Sequence, residues 1–481
     1  MANYSNVGVL ILAAGLGKRM RSSQPKVLHE LCGKPMIFHI LDRIKSQAPE
    51  ASIGIVVGHG REQVMAAVKN EKSFASLRIH FIHQPHQGGT GHAAQCAMED
   101  AWGKQIVKNK SPVLVLPGDC PLLPEALISQ MLIPLGKAEV LRLLTTELPD
   151  PTGYGRVVRR GKSGPVIRIV EEKDANLREK AISEVACSIY LFQSAFLNFS
   201  IQKLSNQNAQ GEYYLTDLIA MAARAKKRAD VLKWRSADDL RGVNDPWELS
   251  EARRILNERF IRSWSLQGVK FLNPQSTWMD VTVELNEDVS IGPGCQLLGQ
   301  TKIARGVTLG ARVVLTDVEV GEGANLKTGT IAERSKIGAG AQIGPYAHLR
   351  PESLVGAGAK IGNFVELKKA KIGEKTSIAH LSYVGDAEIG KGVNIGCGFV
   401  TCNFDGRVID GERKHRTIIE DDVFLGSDCQ TVAPVRIGKG AYVASGSTIT
   451  EDVEPEALAI ARARQVNKAG YAKKLKGPTH Q

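Results

Sequence analysis

The sequence predicts an α/β domain with a largely parallel sheet, followed by a solenoid of six-residue repeats. Three observations support this fold class. The chain has 481 residues, more than one ordinary hydrophobic core contains. Apolar runs alternate with helical segments up to about residue 244, and after about residue 280 aliphatic residues recur every six positions.

The first half carries short apolar runs separated by segments of helical character. The apolar runs read VGVLIL, SIGIVVG, LRIHFIH and PVLVLPGD, and segments such as REQVMAAVKN and GHAAQCAMEDAW separate them. This alternation predicts parallel strands connected by helices, with ligands bound at the carboxyl ends of the strands.

A single helix is predicted between the two halves. Pro246 is a favourable first helical residue, and apolar side chains follow it at helical spacing as far as Trp264. We therefore expect an α/β domain at residues 1–245, a linking helix at 246–268, and a repeat domain with a basic C-terminal tail at 269–481.

The second half has a period of six, which neither a helix nor a simple strand produces. The positions in this period, with one-residue slips between runs, are Ile291, Leu297, Ile303, Leu309 and Leu315; Ile331, Ile337, Ile343, Leu349, Val355, Ile361 and Leu367; Ile372, Ile378, Val384, Ile389 and Ile395; and Ile419, Leu425, Thr431, Ile437, Val443 and Ile449. They predict a β-solenoid whose coils stack their apolar residues in one column. The polar segment 401–417 predicts a projecting loop.

Composition narrows the class of partner. The early apolar run Val7–Ala14 is too short for a membrane span, and no basic segment precedes it as in a signal peptide.

Eight cysteines lie singly without zinc spacing, so we expect a reducing, cytoplasmic compartment. Lys and Arg number 62 against 50 Asp and Glu, but the two signs interleave. We therefore expect small phosphorylated ligands, with no nucleic acid and no membrane as partners.

The clearest candidate site is the glycine-rich segment at residues 7–28. A dinucleotide fingerprint would need a third glycine where Met20 stands, and a P-loop would need Ser or Thr where Arg19 follows Lys18. What remains is a glycine turn whose amides can wrap phosphates, with cations behind it. Such cations suit a reaction in which pyrophosphate leaves and charge accumulates on the α-phosphate.

Further motifs resemble those of a known enzyme family. LAAGLGKRM followed by QPKVL resembles the sugar-phosphate nucleotidyltransferases, and further matches follow in order: QGGTGHA, LPGDCPLL, DPTGYGRVV, RIVEEKDA, GEYYLTDLI and GVND. With GNFVELKKAKIG and AHLSYVGDAEIG in the repeat half, they are similar to the family of bifunctional N-acetylglucosamine-1-phosphate uridylyltransferases and glucosamine-1-phosphate acetyltransferases. The resemblance implies a Rossmann-like nucleotidyltransferase domain followed by a left-handed parallel β-helix.

The same resemblance implies two reactions. The repeat half would acetylate glucosamine-1-phosphate from acetyl-CoA. The first half would join the product to UTP, releasing pyrophosphate and UDP-N-acetylglucosamine, a precursor of peptidoglycan and lipopolysaccharide. UTP and acetyl-CoA are then co-substrates, Mg²⁺ is the cofactor, and a homotrimer with sites at subunit interfaces is expected.

In the first half, the matching motifs assign Arg19 and Lys26 to catalysis, as cations that stabilise the phosphates. They assign Asp119 and Asn244 to Mg²⁺, which usually takes few protein oxygens. The remaining residues expected to bind UTP or UDP-N-acetylglucosamine, together with Lys26 and Asn244, are Leu12, Ala13, Ala14, Gly15, Gln84, Gly89, Thr90, Gly155, Glu171, Tyr214 and Thr216.

One departure from the family pattern concerns the sugar. The family usually reads E-x-N-[TS]-G where this chain has EVACS at residues 184–188, so Ala186 replaces the asparagine and Ser188 the glycine. Loss of one neutral hydrogen bond would cost about 1 kcal/mol, or several-fold in sugar affinity. Ser188 or an ordered water could supply a replacement.

In the second half, the resemblance assigns His380 as the general base, because an imidazole titrates near working pH. Residues expected to bind glucosamine-1-phosphate are Arg350, Lys368, Tyr383 and Asn394. Residues expected to bind acetyl-CoA are Cys397, Asn403, Phe404, Lys414, Ser427, Ser445 and Arg462. Lys414 lies in the projecting loop and would reach a neighbouring site.

Two other functions are compatible with the fold. A monofunctional nucleotide-sugar pyrophosphorylase could use the solenoid only for assembly, but a pure scaffold needs neither His380 nor Lys368. A regulatory subunit that senses nucleotide sugars could lose Lys26, Asp119 and Asn244, yet all three are present. The two-reaction enzyme is therefore the favoured hypothesis.

Overall fold

The computed structural model describes residues 6–161, 164–406, 408, 411 and 413–475. The chain divides into two compact units, residues 1–256 and 257–481. Helix α9, Pro246–Leu266, contains the point of division. Within the described ranges, no helix combines the length and apolar character that a membrane crossing requires.

The first unit is an α/β fold. Its strands are β1 Gly8–Leu12, β2 Glu30–Leu31, β3 Lys34–Pro35, β4 Ser52–Val57, β5 Arg78–His83, β6 Val113–Pro117, β7 Glu139–Glu147, β8 Gly155–Arg159, β9 Val166–Val170, β10 Glu184–Phe192 and β11 Arg228–Lys233. Its helices before α9 are α1 Met36–Gln47, α2 Arg61–Asn70, α3 Gly89–Glu99, α4 Ala101–Lys108, α5 Glu125–Met131, α6 Leu177–Lys180, α7 Ser194–Ile201 and α8 Asp217–Arg224.

The main sheet has the order β11-β7-β10-β6-β1-β4-β5. Strands β1, β4, β5 and β6 run parallel, as the alternation of strands and helices predicts. Strand β10 is antiparallel to both β6 and β7, so the sheet is mixed rather than wholly parallel. An apolar run indicates that a strand is buried but not whether it runs parallel or antiparallel to its neighbours, so the sequence did not predict the antiparallel direction of β10.

Both faces of this sheet are covered. Val9 and Ile11 of β1 pack in one hydrophobic cluster, whereas Leu10 packs in the other. Successive side chains of a strand point to opposite faces, so a continuous apolar run is what a strand buried on both sides requires. Because β1, β4 and β6 run parallel, their carboxyl ends lie at the same edge of the sheet.

The second unit is a parallel β-helix of short strands. They are β12 Lys270–Phe271, β13 Trp278–Met279, β14 Glu284–Leu285, β15 Ser290–Ile291, β16 Gln296–Leu298, β17 Lys302–Ile303, β18 Thr308–Leu309, β19 Val314–Thr316, β20 Glu319–Val320, β21 Asn325–Leu326, β22 Ile331–Glu333, β23 Lys336–Ile337, β24 Gln342–Ile343, β25 His348–Leu349, β26 Leu354–Val355, β27 Lys360–Ile372, β28 Ser377–Ile389, β29 Asn394–Ile395, β30 Val400–Cys402, β31 Thr417–Ile419, β32 Phe424–Leu425, β33 Gln430–Val432, β34 Val435–Ile437, β35 Tyr442–Val443, β36 Thr448–Ile449 and β37 Leu458–Ala459. Each early strand pairs with the third strand after it, as β12 does with β15, so three strands form one coil.

The apolar column predicted by the six-residue period forms the core of this unit. Most of the predicted positions are buried, including Thr431, whose hydroxyl lies 3.2 Å from that of Thr417. The prediction is wrong at Ile331, which is 39% exposed. Ala332 stacks on Leu315 in its place, because the chain slips by one residue between these coils.

The predicted loop separates β30 from β31. Of this segment, residues 407, 409, 410 and 412 lie outside the described residues. At the carboxyl end, a short helix α10, Tyr471–Leu475, follows the last coil, and residues 476–481 of the basic tail lie outside the described residues.

Candidate functional site

A cleft of about 570 Å³ opens at the carboxyl ends of β1 and β6. It collects nearly all of the residues that the sequence assigns to nucleotide and sugar in the first half. Those that line it are Leu12, Ala13, Ala14, Gly15, Arg19, Lys26, Gln84, Gly89, Thr90, Asp119, Gly155, Glu171, Thr216 and Asn244. Tyr214 is buried outside this lining, and its hydroxyl accepts a hydrogen bond from Gln210 Nε2 at 3.0 Å.

Lys26 lines the part of the cleft that is expected to bind the phosphates. Its ammonium donates to Asp119 Oδ2, forming an ion pair, and to Asn244 Oδ1 at 3.1 Å. Gly17 makes this approach possible, since its φ is 60° and a Cβ there would lie 3.0 Å from the Lys26 Cβ. Arg19, on the short 3-10 helix Lys18–Met20, is exposed toward the same cleft and makes no ion pair with any described residue.

The same geometry tests whether the site suits Mg²⁺. Asp119 Oδ2 and Asn244 Oδ1 both contact one ammonium group, so the two oxygens converge on a single cation. A carboxylate and an amide oxygen are hard donors of the kind that Mg²⁺ takes from proteins, with phosphates and water completing its shell. Two protein donors fit a metal ion that binds together with a nucleotide. They do not form a closed cage, and no group of three acidic, histidine or cysteine ligands occurs in the described ranges.

Gln84 and Gly89 form the part of the cleft expected to bind the base. The Gln84 side chain is 4% exposed, and its Nε2 donates to the Gly89 carbonyl at 3.2 Å. Gln87, to which the family motifs assign no role, donates from Nε2 to the Ala14 carbonyl at 2.6 Å. This bond connects the β5–α3 loop to the glycine turn.

Glu171 and Thr216 form the part expected to bind the sugar. The Thr216 hydroxyl donates to Glu171 Oε1 at 2.9 Å. Burial raises the pKa of Glu171, and the Thr216 hydrogen bond opposes that shift. A Cβ on Gly155 would lie 3.3 Å from Glu171 Oε2, so glycine leaves the carboxylate accessible. A partly desolvated carboxylate can accept hydrogen bonds from sugar hydroxyls.

In the second unit, His380 lies outside the apolar column and is exposed. It pairs in register with Asn363 of the neighbouring coil, and its Nδ1 is 2.6 Å from Asn363 Oδ1. Because an amide oxygen only accepts, Nδ1 donates this hydrogen bond, and in the neutral ring Nε2 then carries a free lone pair. The ring is therefore oriented as a base.

His380, which lies within β28, begins a column of residues along one edge of the β-helix. Ser377, Asn394, Phe424 and Tyr442 stack on one another in successive coils. The residues three positions after each are His380, Cys397, Ser427 and Ser445. Strand spacing places Ser445 about 14 Å from His380, a span suited to an extended ligand. Arg462 adjoins this column, since a Cβ on Gly446 would lie 3.8 Å from its Cδ.

Two cations adjoin on another edge of the same coils. The Arg350 amide donates to the Leu367 carbonyl at 2.9 Å, which places Arg350 beside Lys368. Arg350 Nη1 also donates to Glu366 Oε1 at 2.9 Å, and Glu366 pairs in register with Tyr383. Neighbouring cations with a hydroxyl nearby suit a phosphate group.

The remaining predicted residues divide between the loop and the coil surface. Asn403 is buried and donates to Asp386 Oδ2 at 2.5 Å, while the Lys414 ammonium lies 4.2 Å from the centre of the exposed Phe404 ring. Lys414 lines a separate groove of about 490 Å³, whose lining does not include His380. Asn394 is exposed on the strand that precedes the His380 column.

Sequence reasoning missed several residues that contact the predicted ones, among them Gln87, Asn363 and Glu366. Each lies within a motif that was noted, so motif membership was the available signal. Their roles depend on contacts across 73, 17 and 16 residues of chain, which no local pattern encodes.

Comparison with known proteins covers both halves. Residues 9–150 match the MobA-like NTP transferase domain, and residues 334–369 and 416–451 match the bacterial transferase hexapeptide (six repeats). "Bifunctional protein GlmU" of Sorangium cellulosum is 45% identical over 469 residues, covering 97% of this chain and 96% of that protein. The proteins of the same name in Thermoanaerobacter pseudethanolicus and Shouchella clausii are 42% and 41% identical, covering 96% and 97% of this chain and 96% and 98% of those proteins.

Proposed function

The chain belongs to the family of bifunctional GlmU proteins, and on this basis we propose that it makes UDP-N-acetylglucosamine in two steps. The second unit acetylates glucosamine-1-phosphate, and the first unit joins the product to UTP. The observation that carries the first step is the free Nε2 of His380, and the one that carries the second is the convergence of Lys26, Asp119 and Asn244. The product supplies cell-wall precursors.

Acetyl transfer uses the oriented imidazole. The amine of glucosamine-1-phosphate attacks the thioester carbonyl, His380 Nε2 accepts the proton that the amine loses, and CoA leaves as the thiol after protonation. Asn363 stabilises the imidazolium through Nδ1–H. Arg350 and Lys368 hold the sugar phosphate, with Tyr383 and Asn394, and the column from Cys397 to Ser445 receives acetyl-CoA.

Uridylyl transfer uses the cationic cleft. A phosphate oxygen of N-acetylglucosamine-1-phosphate attacks the α-phosphorus of UTP, the bond to the β-phosphate breaks, and pyrophosphate leaves. Lys26 and Arg19 stabilise the negative charge that develops on the phosphates. Mg²⁺ held by Asp119 and Asn244 would neutralise phosphate charge in the same place. Gln84 and Gly89 hold the base, and Glu171 and Thr216 the sugar.

The assembly is proposed to be a homotrimer that acts in the cytoplasm. Hexapeptide repeats are typical of trimers, and Lys414 lines a groove apart from the His380 column of its own chain. A second subunit can then supply Lys414 to a neighbouring acetyl-transfer site. Sedimentation equilibrium measures the mass of the assembly, which should be three times 52.1 kDa.

One assay tests the proposed function directly. The purified chain receives glucosamine-1-phosphate, acetyl-CoA, UTP and Mg²⁺, and CoA and pyrophosphate are measured with each component omitted in turn. CoA release should require only the first two, whereas pyrophosphate release should require all four. Pyrophosphate release from UTP and supplied N-acetylglucosamine-1-phosphate, combined with no CoA release from glucosamine-1-phosphate and acetyl-CoA, would instead favour a monofunctional pyrophosphorylase, which the family membership does not favour.

A further inference from the structure

The wall of the first cleft contains one residue in a costly backbone conformation. Ser188 has a φ of 55°, in the left-handed region that glycine adopts most easily. It lies where the pairing of β10 with β7 shifts register between Ala186 and Tyr190, a bulge at which left-handed glycine is common. Among the described residues of the first unit, the non-glycine residues with positive φ are Arg21, Cys32, Lys110, Ser188 and Lys226. Of these, Ser188 alone lines the cleft.

Beside Ser188 lies a buried tyrosine hydroxyl. Tyr190 is 1% exposed, and its hydroxyl is sealed from solvent and forms no well-aligned hydrogen bond within the part of the chain that the structure describes. Burial raises the pKa of Tyr190, and the Ser188 side chain opposes this effect, so the two hydroxyls are neighbours. Buried hydroxyls are normally paired, since leaving one unpaired is unfavourable.

These two features meet beside the part of the cleft that contains Glu171. Ser188 is exposed to the cleft, whereas its neighbours Ala186 and Cys187 offer no side-chain oxygen or nitrogen. Glu171 contributes to the electrostatic environment of Tyr190 and lines the same cleft. A polar ligand between Glu171 and Ser188 would therefore have a carboxylate on one side and a hydroxyl on the other.

We propose that Ser188 is a sugar-binding residue of the uridylyl-transfer site, with the Tyr190 hydroxyl positioning its hydroxyl group. This inference rests on the proposed function, and the ligand that Ser188 would bind is the sugar of N-acetylglucosamine-1-phosphate. A hydroxyl both donates and accepts, so it can bond to the polar substituents of an N-acetylated sugar. The left-handed strain at Ser188 is then the cost of placing a hydroxyl at a position where glycine would be more stable.

Ser188→Gly separates this role from a structural one. Glycine relieves the left-handed strain, so Tm should rise. Loss of one neutral hydrogen bond should raise KM for N-acetylglucosamine-1-phosphate about five-fold. The kcat and the KM for UTP should not change. Lys110→Gly is the matched control, because Lys110 has a φ of 54° and is exposed outside the cleft lining. It should raise Tm and leave every KM unchanged.

Different outcomes would contradict the role of Ser188, the role of Tyr190 and the proposed function. An unchanged sugar KM in Ser188→Gly would overturn the assignment of Ser188. Tyr190→Phe should raise the sugar KM in the unmodified chain but have no further effect in Ser188→Gly, and equal effects in both backgrounds would refute the positioning role of Tyr190. Absence of uridylyl transfer in the unmodified chain would refute the proposed function instead.

Discussion

Asn363 controls the tautomer of His380, and its replacement tests the mechanism of acetyl transfer. In Asn363→Ala, the His380 Nδ1–H loses its acceptor, 2.6 Å away, and the ring is free to rotate and to exchange tautomers. The bond matters most in the transition state, where the imidazole becomes positively charged. Asn363→Asp keeps an acceptor at the same position but adds a negative charge.

The size of the effect follows from the exposure of the site. Hydrogen bonds to charged groups contribute about 1.5–3 kcal/mol, and water can partly replace this one because His380 is exposed. The lower value applies, so kcat for acetyl transfer in Asn363→Ala should fall about ten-fold. In Asn363→Asp the carboxylate favours the protonated ring, so the acidic limb of the pH–rate profile should move to higher pH.

Initial rates of CoA release between pH 5.5 and 9 measure both effects, at about 0.5 pH intervals that resolve a shift of one unit. Uridylyl transfer by the same preparations is the internal control and should be unchanged. An acetyl-transfer rate in Asn363→Ala equal to that of the unmodified chain would refute the assignment of Nε2 as the free base. A profile that moves to lower pH in Asn363→Asp would refute the electrostatic argument.

Three other predictions concern metal, pH and packing. Removal of Mg²⁺ with EDTA should abolish pyrophosphate release and leave CoA release intact, and loss of both activities would contradict the assignment of metal to Asp119 and Asn244. Burial lowers the pKa of His39 to about 4 from 6.5, so the unfolded chain binds its proton first and stability falls as pH falls through this range. Urea unfolding should show a loss of about 2 kcal/mol between pH 7 and 5 that His39→Gln removes, and an identical loss in the variant would exclude His39 as the cause. In the β-helix, Ile331→Ser should change Tm little, whereas Ala332→Asp should lower Tm by many degrees. A larger loss of Tm in Ile331→Ser than in Ala332→Asp would indicate that Ile331, and not Ala332, lies in the apolar column.

The sequence predicted those features that short segments encode. The strand and glycine turn at residues 7–28 form a local unit, and the six-residue period follows from stacking of identical coils, so both could be predicted without knowledge of distant contacts. Family motifs then indicated residues such as Asp119 and Asn244, which the fold brings to one cleft. Their individual roles in binding and catalysis stay predictions.

Other features depend on contacts between distant segments and could not be predicted. The ammonium of Lys26 contacts groups 93 and 218 residues away, and only the folded sheet brings them together. The antiparallel direction of β10 has no signature in its apolar run. The coil between Leu315 and Ala332 is one residue shorter than three six-residue repeats. A strict period of six counted back from the later coils therefore selects Ile331, whereas Ala332 is the residue in the column.

The independence of the two sites is the central claim, and paired variants measure it most directly. Both activities are assayed in His380→Ala and in Lys26→Ala, each with its own preformed substrate. His380→Ala should lose acetyl transfer by at least about 100-fold and keep uridylyl transfer, whereas Lys26→Ala should show the opposite pattern. Folded variants in which both activities fall together would contradict a division of the two reactions between the glycine-rich cleft and the edge of the β-helix.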